Sequence, residues 1–193
     1  MELYKNGFIV QQSNFVMPCM KFTKNICYKG ISAYSDYPLY DYINDKECEA
    51  LQNEIWYKKI DNKYSIQLNF ITNPNLLYRY IKMCKKYNIQ LRYLFIESDI
   101  DSEIWNAPIP DMNFIGYEYC EIPFDSQVIS DLDTHEPFQK HRDKLNKYGL
   151  FSTLDDAKSF KFDYDNEFAT GIIGDGEMET HIFRVSKVNS NYH

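Results

Sequence analysis

The chain has 193 residues, 44% of them hydrophobic, with 28 acidic against 21 basic residues and a net charge of −7. That size and apolar content support a folded domain with a substantial core rather than a disordered chain, and the negative balance argues against direct nucleic-acid binding. No apolar run approaches the roughly 20 residues that span a bilayer, Met1-Glu2-Leu3-Tyr4-Lys5 lacks a signal-peptide pattern, and five cysteines with no C-x-x-C pair point to reduced thiols in the cytoplasm.

In chain order, Asn6-Gly7 between Leu3-Tyr4 and Phe8-Ile9-Val10 reads as a hairpin turn. Residues 15–28 read as one extended segment broken at Pro18, and residues 30–43 as an ordered, Tyr-rich loop. A helix is expected from Asp45, with Asn44 and Glu47 as a capping box and Cys48, Leu51 and Ile55 on its buried face. Residues 64–71 alternate as a half-buried strand. Asn73-Pro74 opens a second helix with Leu77, Tyr80, Ile81 and Cys84 as its apolar stripe and Asn88 as its stop, and a strand follows over 89–97. This strand–helix–strand run suggests a right-handed parallel crossover.

Residues 99–111 form a loop. Residues 113–122 read as a strand in which Gly116 marks a bulge or a close backbone approach, and 127–132 as a short edge strand. A helix is expected over 134–148, with Phe138, Leu145 and Tyr148 buried and Gly149 at its stop. The next helix starts at a capping box formed by Thr153 and Asp156, carries Ala157, Phe160, Tyr164 and Phe168 on one face, and ends near Gly171. Gly174-Asp175-Gly176 is a turn, 179–188 a last strand, and 189–193 a frayed end. The order argues one α+β domain over residues 1–193, a mixed β-sheet with about four helices packed on it.

Charge is distributed unevenly along this scaffold. The run from Tyr93 to Gln139 has no lysine or arginine and eleven carboxylates: Glu97, Asp99, Asp101, Glu103, Asp111, Glu118, Glu121, Asp125, Asp131, Asp133 and Glu136. Without it the chain has 17 acidic and 21 basic residues, net +4. Eleven like charges with no interleaved base repel one another, which makes a recognition surface the better explanation. Tyr93, Trp105, Tyr117, Tyr119 and Phe124 sit among them as candidate hot spots, with the carboxylates steering a cationic partner.

Catalytic patterns are weaker. Asp99, Asp101 and Glu103 alternate like the start of an EF-hand, but Ile104 stands where glycine is needed and Pro110 where a bidentate Glu is needed. Asp131, Asp133 and His135 alternate as well, yet His135-Glu136-Pro137 is not H-E-x-x-H, and negative groups gathered before a helix start are the better explanation. There is no G-x-S-x-G, and Cys120 lies between Tyr119 and Glu121, where acids raise a thiol pKa. Pairing Cys120 with His181 would need geometry that a sequence does not show. The lysines at 82, 85 and 86 read as the solvated face of a helix.

The hexapeptide Phe114-Ile115-Gly116-Tyr117-Glu118-Tyr119, followed by an acidic segment that leads into a helix, resembles the immunity proteins of bacterial polymorphic-toxin and contact-dependent inhibition systems. The resemblance covers the chain from about Ile89 and is one of character rather than of a signature motif. It implies a cytoplasmic protein that binds a cognate toxin domain, often a basic nuclease, and occludes its active site. The expected function is therefore non-enzymatic binding of a basic protein toxin through Glu97, Asp99, Asp101, Glu103, Trp105, Asp111, Tyr117, Glu118, Asp125, Asp131 and Asp133. No metal, cofactor, nucleic acid or membrane is expected, and the oligomeric state is left open. The alternative is an enzyme working through carboxylates, with or without a divalent metal, in which Asp99, Asp131, Asp133 and His135 converge.

Overall fold

Asn6-Gly7 does not turn the chain. In the computed structural model Tyr4–Gln12 is one strand, β1, bulged between Lys5 and Gly7 and paired antiparallel with β2, Leu91–Ser98. The local hairpin signal loses to a tertiary demand on both residues. The Asn6 side chain turns inward, where its amide donates to Ile100 O (2.8 Å) and its carbonyl accepts from Ser98 Oγ (2.7 Å). Gly7 has φ 154°, and a β-carbon there would overlap the carbonyl of Ile71.

The structure describes residues 2–13, 29–31, 39, 42, 44–56, 71–100, 105–121, 125–126, 128, 132, 135–169 and 180–189. The readings over 15–28, 61–70, 127, 129–131 and 171–179, and the frayed end from 190, lie outside them, as does most of the loop over 30–43. The remaining elements are α1 (Lys46–Trp56), α2 (Pro74–Lys86), β3 (Met112–Glu121), β4 (Asp125–Ser126), a 3-10 helix (Glu136–Lys144), α3 (Leu154–Ala169) and β5 (Thr180–Val188). The fold is α+β, with strand order β1-β2-β5-β3-β4. The pairs with defined register, β1–β2 and β3–β4, are antiparallel. Of the strand expected to begin a parallel crossover only Ile71 is described, and it bridges Phe8 in the antiparallel sense.

Two compact units divide the chain. The first comprises Met1–Phe15, Ala33–Asn113 and Ser186–His193. Alternation along the strands sends Phe8 and Val10 of β1, and Tyr93 and Phe95 of β2, toward α1 and α2, whose Cys48, Leu51, Ile55, Leu77, Tyr80, Ile81 and Cys84 complete that core. Ile9, Leu94 and Ile96 alternate to the other face and are buried too. Helix α1 starts one residue later than its sequence suggests: Asp45, not Asn44, is the cap, accepting from the backbone of Glu47 (2.8 Å) and Cys48 (3.3 Å). Asp45 also accepts from Lys86 (2.6 Å) and the Tyr87 hydroxyl (2.5 Å), which ties the start of α1 to the end of α2. The α2 cap is Asn73 with Pro74 behind it, and Asn88 leaves the helix at φ 56°.

The second unit comprises Val16–Ser32 and Phe114–Val185. Its core is an aromatic cluster. Phe160 of α3 meets Tyr119 of β3 (5.7 Å between ring centroids) and Phe151 (5.3 Å), and Phe138 of the 3-10 helix stacks on Tyr164 (5.6 Å). The α-helix expected over 134–148 is a 3-10 helix that stops at Lys144, and Leu145 and Tyr148 are only half-buried. Three residues per turn stack Phe138 and His141 on one stripe, and these are the residues buried from this helix. A tight turn follows, closed by the Asn146 side chain, which accepts from Tyr148 N (2.8 Å) and donates to Ile115 O (2.8 Å). Gly116, at φ 149°, admits that turn: a β-carbon there would lie 2.5 Å from Leu150 Cβ and 2.9 Å from Asn146 Nδ2. Helix α3 begins at the expected capping box, Thr153 Oγ1 accepting from Asp156 N (3.1 Å) and donating to its carboxylate (2.6 Å).

Candidate functional site

The acidic run begins at the end of β2, where strand alternation points Ser98 inward and leaves Glu97 and Asp99 half-exposed on the other side. Ser98 is fully buried and bonded to Asn6, and its hydroxyl accepts from Ile100 N (3.2 Å), so the backbone carrying Asp99 is fixed from within. Lys5 stands opposite Glu97 in the register and offsets part of its charge. Asp111 is exposed just before β3. It is held by Asn189, which donates its backbone N–H to Asp111 O (3.0 Å) and its side-chain amide to the Asp111 carboxylate (3.1 Å).

Two of the expected contact residues belong to the interior. Trp105 is 4% exposed and packs edge-on against Phe8 (4.7 Å), with its backbone N–H donating to Lys5 O (2.6 Å). Its large apolar area closes the core of the first unit, which outweighs the use of the ring as a surface anchor. Glu118 is fully buried in β3 and accepts from Ile31 N (2.7 Å). A buried carboxylate holding a backbone donor is an internal tether, so Glu118 presents no charge to a partner. Among the other aromatics of the run, Tyr93 and Tyr119 are buried as well. Burial pushes the Tyr93 phenol up to about 12.

Tyr117 is half-buried, and its ring meets the partly exposed Phe114 (5.0 Å), over which the Arg184 guanidinium lies at 4.8 Å. Asp125 belongs to β4 opposite Glu121. Asp101, Glu103, Asp131 and Asp133 lie outside the described residues. Glu97, Asp99 and Asp111 thus stand in the first unit, and Tyr117, Glu118 and Asp125 in the second.

Of the four residues of the enzymatic alternative, Asp131 and Asp133 lie outside the described residues. Among the described residues no group of three or more His, Cys, Asp and Glu side chains is placed to hold a metal. His135 precedes the 3-10 helix beside Phe138 (6.0 Å). Burial pushes the Cys84 thiol up to about 12 and the Cys48 thiol up as well, the reverse of an activated nucleophile. Cys120 is fully buried.

One interaction went unread in the sequence: the pair His141–Asp163. His141 is 1% exposed, its Nε2 lies 2.7 Å from Asp163, and Lys140 reaches the same carboxylate at 2.8 Å. The Nδ1 atom is buried without a partner. Burial lowers the His141 pKa despite the facing carboxylate, so the imidazole is neutral and donates from Nε2. With the imidazole itself buried, this pair fastens the 3-10 helix to α3.

Among the described residues no helix is long and apolar enough to cross a membrane. Searches of protein-family models, of curated proteins and of solved structures return no match to the chain.

Proposed function

We propose that the chain is a non-enzymatic binding protein of the immunity type, acting in the cytoplasm to neutralise a cognate basic toxin through an acidic surface. The observation that carries this reading is the charge segregation: eleven carboxylates and no lysine or arginine between Tyr93 and Gln139. Its support from the fold is that Glu97, Asp99, Asp111 and Glu136 stand exposed or half-exposed. Trp105 and Glu118 drop out of the contact set, and the surface is correspondingly less aromatic than expected. Carboxylates at the surface attract a cationic patch over about a Debye length and fix its approach.

Co-expression with a small basic toxin domain, sought in the gene neighbouring the one for this chain, tests the proposal. The wild type should protect growth. The triple variant E97K/D99K/D111K should lose that protection while keeping the far-UV circular dichroism of the wild type and a cooperative melting transition, lowered only by the loss of the Lys5 and Asn189 contacts. Full protection by the triple variant would refute an acidic docking surface.

A further inference from the structure

A second, oppositely charged site lies in the first unit. One face of α2 presents Pro74, Leu77 and Ile81 at helical spacing to Trp105, Ala107 and Pro108, and together they enclose a cavity of about 400 Å³. Lys82 and Lys85 line the same cavity from the C-terminal half of the helix. Both are exposed, and among the described residues neither has a carboxylate partner, whereas Arg79 and Lys86 on the same helix are paired with Glu54 and Asp45 (2.6 Å each). Nor are these two lysines needed to satisfy the helix end: Cys84 O and Lys85 O already accept from the backbone of Tyr87, Asn88 and Ile89.

We propose that this cavity binds a small organic anion with an apolar body, of the class of medium-chain or aryl carboxylates. The volume falls in the range of small-molecule sites, about 300–1,000 Å³ with mainly apolar walls and a few polar groups that set orientation. The apolar walls take the body, and the two unpaired ammonium groups take the carboxylate. A cationic or neutral ligand would leave those ammonium groups unmatched, which selects an anion in a chain whose net charge is −7. Tyr78, 64% exposed beside the opening, adds a ring to the rim.

The test compares decanoate with decanol, which has the same chain length and no charge, by calorimetry on the full chain. Decanoate should bind with a Kd on the order of 10–100 μM, and decanol at least about ten-fold more weakly. K82E/K85E should weaken decanoate at least about ten-fold and leave decanol unchanged, since both lysines are exposed and their reversal spares the core. Ala107→Trp, which fills the cavity from a half-buried position, should abolish both. Equal binding of the two ligands, an unchanged decanoate affinity in K82E/K85E, or no binding at millimolar ligand would overturn the proposal. So would capture of a Glu-rich peptide, or a stable dimer, in place of decanoate.

Discussion

Gly7 and Gly116 do the same job in the two units: each removes a side chain so that a second stretch of backbone can come close. At Gly7 the neighbour is the Ile71 carbonyl, which also accepts from Phe8 N at 2.9 Å, so neither partner can withdraw without breaking the bridge. Gly7→Ala should therefore destabilise the chain by about 3 kcal/mol or more, through overlap with backbone and a φ that L side chains rarely adopt. For a chain of this size that is a fall in Tm of roughly 10 °C, measurable by thermal unfolding. A fall of only a degree or two would mean that β1 and Ile71 are not in register. The two glycines were not equally legible. Gly116 interrupts an otherwise strand-like run, and the close approach it signals is what the fold contains. Gly7 follows asparagine between apolar residues, the local pattern of a turn. What overrides it is the bonding of Asn6 to Ser98 and Ile100, more than 90 positions away. Glu118 is hidden for the same reason, its partner Ile31 lying 87 positions off.

Among the elements, those with complete local signals were readable: α2 with Asn73-Pro74 at its start, α3 with its Thr153–Asp156 box, and the strands β2, β3 and β5. Elements set by tertiary contact were not. The segment 136–144 offers a single large apolar residue, Phe138, and its geometry is decided by what the buried His141 meets. His141 faces Asp163, with Lys140 and Lys144 nearby, and burial outweighs the carboxylate to leave its pKa below 6.5. Burial also works to raise the Asp163 pKa, but the hydrogen bonds from Lys140 and His141 prevail and hold it below 3.8. The folded imidazole stays neutral where the unfolded one takes a proton. Stability is therefore fully present above about pH 6.5 and falls as the pH drops toward the folded pKa, by at most about 1.4 kcal/mol per pH unit from this group. The contribution of Asp163 persists lower and is lost below about pH 3.8. His141→Gln keeps a donor for Asp163 but cannot titrate. Urea unfolding between about pH 7.5 and about pH 5 should show a shallower loss of stability in the variant than in the wild type. Parallel curves would mean that His141 is charged in the folded state.

For the molecule as a whole, the clearest sequence signal was charge, and it was only partly a surface signal. A run of carboxylates gives the sum of charges in a segment but not which of them a strand turns inward, and Glu118 shows that one of the eleven supports the core. Reversing the outward set and the inward one should consequently have different effects. E97K/D99K/D111K moves the net charge from −7 to −1, since each reversal adds two, at positions that are exposed or half-exposed. E118K places an ammonium in a fully buried site that needs an acceptor for Ile31 N, and the chain should fail to fold. If the acidic surface steers a basic toxin, the wild-type association rate should fall at least about ten-fold as ionic strength rises from about 0.01 M to about 0.15 M, where the Debye length shrinks from about 30 Å to about 8 Å. The triple variant should associate more slowly at low salt and show a markedly flatter salt dependence, while the dissociation rate changes less, because charges at a rim act mainly on encounter. Stopped-flow mixing with the toxin domain measures both rates. An association rate that is insensitive to salt in the wild type would assign the recognition to shape and apolar contact, and the acidic run would lose its part in it.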